Sequence, residues 1–118
     1  MKPLEVSAGL LAVACFIPFA ADAQEYRPLQ GKYAIAGAHL VDPAPGEKRD
    51  RAVMFIEGDA AADMFKDMPQ KAVKDQCAGD LVSKSAGNLV CSKANDGKYF
   101  CSFAVGLKDG RLLNGRSC

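Results

Sequence analysis

Lys98-Tyr99-Phe100-Cys101-Ser102-Phe103-Ala104-Val105-Gly106-Leu107 is the stretch whose reading decides the fold. Tyr99, Cys101, Phe103, Val105 and Leu107 alternate with smaller or more polar residues, the period-2 pattern of a strand with one buried face. Phe100, Ser102, Ala104 and Gly106 form the other face, suited to solvent or to a thin covering layer. Asn95-Asp96-Gly97 precedes the stretch and Lys108-Asp109-Gly110 follows it, both turn signals. The strand is therefore expected to be central, with a hairpin neighbour on each side.

Working outward, the same logic yields an α+β fold. Residues 33–41 alternate as a strand, with Ala34, Ala36, Ala38 and Leu40 forming a small apolar face suited to a packed helix. Gly37 marks a bulge or a tight backbone approach, and in the lead-in before this strand Tyr26 and Leu29 are expected to dock on the core. Residues 51–57 return antiparallel, because the connection is too short for a crossover helix. Gly58 ends that strand and Asp59 is the expected N-cap of a helix. Ala60, Ala61, Met64, Phe65 and Met68 recur at helical spacing. Pro69 interrupts, so the pattern to residue 76 predicts a kinked helix. Strands at 80–85, 89–93 and 111–116 complete the chain. The expected architecture is an N-terminal β-hairpin, a kinked helix, then a disulfide-linked antiparallel β-meander packed on the helix, one small domain over 24–118.

Residues 1–23 read as a secretory signal peptide, with Lys2 at the start, an apolar run at 8–20 and Ala21-Asp22-Ala23 as a small-x-small cleavage site. The apolar run is shorter than the roughly 20 residues a bilayer span needs. Ala12-Val13-Ala14-Cys15 resembles a lipoprotein cleavage site, but apolar sequence continues past Cys15, which lipidation does not require. The formal net charge of the whole chain is +1. This argues against a nucleic-acid partner, and nothing beyond the leader is apolar enough for membrane insertion. The chain is thus expected in the periplasm or secreted.

Four cysteines remain after the leader: Cys77, Cys91, Cys101 and Cys118. In a short exported chain they imply disulfides. Their spacing lacks the close pairs of a zinc site or a redox C-x-x-C motif. Hairpin registers place Cys101 opposite both Cys91 and Cys118, which disfavours joining Cys91 to Cys118 across two strands. Two pairings stay open: 77–91 with 101–118, and 77–118 with 91–101. The first is preferred, because it ties the helix end to the sheet and pins the C-terminus.

Asp42-Pro43-Ala44-Pro45-Gly46-Glu47-Lys48-Arg49-Asp50 is a proline-stiffened, charged loop. Stiffness lowers the entropy lost on binding, so Asp42, Pro43, Pro45, Glu47, Lys48 and Arg49 are the candidate partner-binding residues. Asp63 and Asp67 lie one helical turn apart, but no third ligand stands near, so a solvated face is expected. His39 is the single histidine, with no nucleophile beside it in sequence. No catalytic, metal or cofactor-binding fingerprint is present. The chain is similar in style to bacterial periplasmic lysozyme inhibitors in size, export signal and disulfide-linked strands, and Tyr99-x-Cys101 resembles a strand of such domains. The family's inhibitory loop motifs are not recognisable here and the helix is extra, so no membership follows. The expected function is non-catalytic binding of another protein, as a hydrolase inhibitor or an immunity-type protein. The alternative is a small-ligand carrier with a pocket lined by Met64, Phe65, Met68 and Phe103. A third reading, an enzyme built on His39, rests on that residue alone.

Overall fold

The computed structural model describes residues 24–40 and 44–116, together with Gly9 and Ala12. The rest of the expected signal peptide, Cys15 included, and Asp42, Pro43 and Cys118 lie outside these residues. Among the described residues the order is β1 (Gln30–Ala36), β2 (Arg51–Glu57), α1 (Gly58–Asp67), β3 (Val73–Lys74), β4 (Val82–Ala86), β5 (Leu89–Lys93), β6 (Tyr99–Gly106) and β7 (Leu112–Leu113). All strands join one antiparallel sheet, ordered β1-β2-β6-β5-β4-β3 with β7 also on β6. The α+β class with an N-terminal hairpin holds.

β6 is central, as its alternation requires. One edge pairs with β2 over its whole length, from Arg51 opposite Gly106 to Glu57 opposite Phe100. A strand has only two edges, so β5 and β7 share the other. β5 pairs along 99–102, and β7 pairs at Ala104–Leu113 and Val105–Leu112. This overturns the expected rung of three cysteines on three adjacent strands. The turn at Asp109-Gly110 is also longer than a two-residue hairpin. Gly106 N–H donates to Arg111 C=O at 2.8 Å, and Gly110 N–H donates back to Gly106 C=O at 2.8 Å. Cys101 therefore has Ile56 opposite it on one edge and Cys91 on the other.

Cys91 and Cys101 are joined, with their Cα atoms 4.0 Å apart and an S–S distance of 2.04 Å. The preferred pairing of 77–91 with 101–118 is wrong for this reason. Cys91 and Cys101 are direct cross-strand neighbours, and a bridge forms where register has already brought the sulfurs together. Cys77 is itself disulfide-bonded, to a residue outside those described.

The sheet is covered on one face by α1. Ala61 and Phe65 enter a core with Ile56, Cys91 and Cys101, against which Ala60, Met64, Met68, Tyr99 and Phe103 pack. Gly58, at φ +66°, turns the chain from β2 directly into the helix. Asp59 therefore sits in the first turn, and Glu57 occupies the N-cap position without a side-chain cap. Asp59 still favours the positive end of the helix dipole.

No kink carries the helix past Pro69. The helix stops at Asp67 because Pro69 has no N–H to donate and because Lys84 terminates it from outside. Lys84 Nζ, from β4, donates to Phe65 C=O at 2.8 Å and Met68 C=O at 3.1 Å, and it lies 4.6 Å from the Phe65 ring centroid. The following residues form the two-residue β3 in place of a second helical turn.

The helix lies on the Tyr33 face of β1, not on the small Ala34–Ala36 face. Register shows this: Gly31 is opposite Ile56, and Ile56 is opposite Cys101 of the core. A ten-residue helix is about 15 Å long and leaves part of that face open, so Tyr33 stays 72% exposed. β1 also ends at Ala36, short of the expected Val41. Tyr26 is 92% exposed and Leu29 is exposed too, so neither docks on the core.

On the opposite face, Ser102 and Ala104 are buried, so the thin covering layer is real. The C-terminal segment supplies part of it. Gly115 lies so close to β6 that a Cβ there would fall 2.6 Å from the Phe103 backbone.

Candidate functional site

The loop at 37–50 leaves β1 at Ala36 and enters β2 at Arg51. Two main-chain bonds fasten its base: Asp50 N–H to Ala36 C=O at 3.0 Å, and Leu107 N–H to Asp50 C=O at 2.8 Å. The second ties the loop to the end of β6. Gly37 allows the two loop strands to meet, since a Cβ there would lie 2.5 Å from Lys48 C=O. At the tip, Glu47 N–H donates to Ala44 C=O at 3.0 Å, closing a turn over Pro45 and Gly46. Gly46 takes φ +79°, which suits glycine there.

Glu47 organises the loop from within. Its Oε1 accepts from His39 N–H at 3.0 Å and pairs with His39 Nδ1 at 2.9 Å, while Oε2 accepts from Ala44 N–H at 3.1 Å. The His39 ring bond holds the Glu47 carboxyl below its ordinary pKa, aided by the two backbone amides and opposed by burial. The Glu47 side chain is only 14% exposed. It is therefore the loop's internal clamp, not a residue presented to a partner. Pro45, Lys48 and Arg49 are exposed, and among the described residues Lys48 and Arg49 have no ion-pair partner. Of the six candidate binding residues, four are thus placed on one loop, one facing inward. Asp42 and Pro43 lie outside the described residues.

His39 is held by Glu47 at an exposed position, and sequence reasoning did not connect the two. An acid eight residues from a histidine across a Pro-Gly turn was the available signal. Asp63 pairs with Arg27 at 2.6 Å. Among the described residues no group of three or more His, Cys, Asp or Glu is placed to hold a metal ion. No described helix is long and apolar enough to cross a membrane.

A second cluster went unread in the sequence. Asp75 follows β3, and its side chain is 4% exposed. Its two oxygens accept from Arg116 Nη1 at 2.8 Å and Nη2 at 3.0 Å. They also accept from Ser83 Oγ at 2.5 Å and from the amides of Cys77 at 2.8 Å and Ala78 at 3.0 Å. Ser92 Oγ donates to Ser83 Oγ at 2.6 Å, extending the chain across β4 and β5. Arg116 holds the Asp75 carboxyl far below the usual range, assisted by Ser83 and the two amides against burial. With every acceptor direction occupied, this carboxylate is no proton shuttle. It clasps the C-terminal segment to the 75–78 turn. The local signal was the Asx turn at Asp75-Gln76-Cys77; Arg116 was too distant in sequence to be paired with it.

The pocket expected between helix and sheet takes a different form. Met64, Phe65, Met68 and Phe103 are packed in or against the core. The larger cleft, about 540 Å³, lies at the start of the helix between Phe55, Asp59, Tyr99 and Phe100. A smaller one of about 250 Å³ adjoins Asp75 and Arg116. Neither is lined by any of the four residues. No family model, curated protein or solved structure matches this chain.

Proposed function

We propose that this is an exported, non-catalytic protein that binds another protein through the loop at 37–50, in the manner of a hydrolase inhibitor or an immunity protein. The supporting observation is the Glu47 clamp. The Glu47 carboxylate fixes His39 and Ala44, so the loop tip carrying Pro45, Lys48 and Arg49 is held before any partner arrives. Such a tip loses less freedom on association than a mobile one. The cysteines support the setting, since structural disulfides form in oxidising compartments.

The test is affinity capture from the native periplasmic or culture fraction, comparing the wild type with Lys48→Ala/Arg49→Ala. Both side chains are exposed, and neither forms an ion pair among the described residues, so the double variant should melt like the wild type. A protein captured by the wild type and lost by the variant supports the proposal. Equal capture by both, or none by either, rejects the loop as the binding site.

A further inference from the structure

The two edges of this sheet are built differently. One ends in β3, a two-residue strand carrying Lys74. Short strands and lysines are the usual guards against edge pairing. The other edge is β1, seven residues with no proline and one lysine. Among the described residues it pairs with β2 alone. About half of its backbone N–H and C=O groups therefore point away from the sheet. Gln30 to Ile35 are all exposed, and Tyr33 and Ile35 are large apolar side chains left in water on the helix-bearing face.

The sequence of β1 is complementary to itself. Placed antiparallel about a two-fold axis at Tyr33, Gly31 of one copy faces Ile35 of the other, and Lys32 faces Ala34. Apart from Tyr33, each bulky side chain meets a small one, and no lysine faces a lysine. Gln30 faces Ala36, and the tyrosines meet at the axis. The ends of the match are marked as well. Pro28 lacks an N–H on one side, and the chain bends at 38–40 on the other.

We propose that two copies of this chain associate through β1, antiparallel about Tyr33, forming one sheet across the pair. Roughly six to eight main-chain hydrogen bonds join the strands. The open apolar strip of Tyr33, Ile35 and Met54 then runs unbroken from one copy to the other. The partner is a second copy because the register above needs only this strand, and it leaves the loop at 37–50 for a different protein.

The test is the molar mass of the oxidised protein by sedimentation equilibrium, for the wild type and two variants. Tyr33→Lys sets two like charges at the axis, on a side chain already exposed in the monomer, and should give monomer. Ala34→Glu puts a carboxylate opposite Lys32 of the other copy, twice per dimer, and should tighten association roughly threefold or more. Unchanged melting of Tyr33→Lys at high dilution would show that the monomer stays folded. Wild type that remains monomeric at concentrations on the order of 100 µM overturns the proposal, as does a dimer indifferent to both substitutions. A wild-type monomer that still captures a partner through the loop would overturn this dimer alone.

Discussion

Asp75→Asn should be the most damaging isosteric change among the described residues. The substitution keeps the shape and removes the charge. It leaves Arg116, whose side chain is 22% exposed, without its counter-ion beside a mostly buried site. It also turns one of the two acceptor oxygens into a donor that faces the Arg116 donors. Breaking a buried, hydrogen-bonded ion pair costs about 3–5 kcal/mol, and partial exposure of Arg116 points to the lower end, about 3 kcal/mol. Total stabilities run to about 5–15 kcal/mol, so the loss is a large share. In urea, with a slope of about 1–1.5 kcal/mol/M for a domain of this size, the midpoint should fall by about 2–3 M. The pH dependence has a defined sign. Asp75 has a depressed folded-state pKa, so its contribution is complete above the unfolded carboxyl value of about 4. It fades as pH falls below that value toward the folded one. The gap between wild type and variant should therefore be constant from pH 5 to 7 and shrink below pH 4. A loss under 1 kcal/mol, or a gap that is the same at pH 2.5 and pH 7, would refute the reasoning.

Three further outcomes follow from the same structure. Lys84→Ala removes the cation that caps the Phe65 and Met68 carbonyls; it should cost about 1–2 kcal/mol, read by thermal melting, and an unchanged melting temperature would dismiss the cap. Glu47→Gln should leave the melting temperature nearly unaltered while amide exchange at His39 and Ala44 speeds up; protection equal to wild type would mean that the clamp is not what orders the loop. Replacing Cys91 and Cys101 together by Ala opens a link between residues ten apart; the chain-entropy model gives about 3 kcal/mol for such a loop, and chemical denaturation showing no loss would contradict it.

The local pattern told much of the fold. Arg51–Glu57 and Leu89–Lys93 were legible to the residue, because turn signals bound them and alternation runs through them. The central place of β6 was legible for the same reason. What could not be read is what joins distant residues. β2 took an edge of β6 across more than forty intervening residues, and that moved β7 to the edge occupied by β5. The cysteine preference failed at that step, since it assumed that hairpin neighbours fill both edges. The helix end was misread because Lys84 supplies a cap that no residue near Pro69 announces. The loop was recognised as stiff and charged, but Glu47 was grouped with the residues facing a partner, when its bonds to His39 and Ala44 turn it inward. Asp75 and Arg116 lie 41 residues apart, and nothing in either neighbourhood names the other.

Peptide mapping under non-reducing conditions, on protein recovered from the compartment where it resides, probes the scaffold most directly. Trypsin cuts at Lys84, Lys93 and Lys98, so Cys77, Cys91 and Cys101 fall on separate fragments. The account predicts a linked species that joins the Cys91 and Cys101 fragments and does not include the Cys77 fragment. Free thiols at these positions, or Cys91 joined to Cys77, would contradict it.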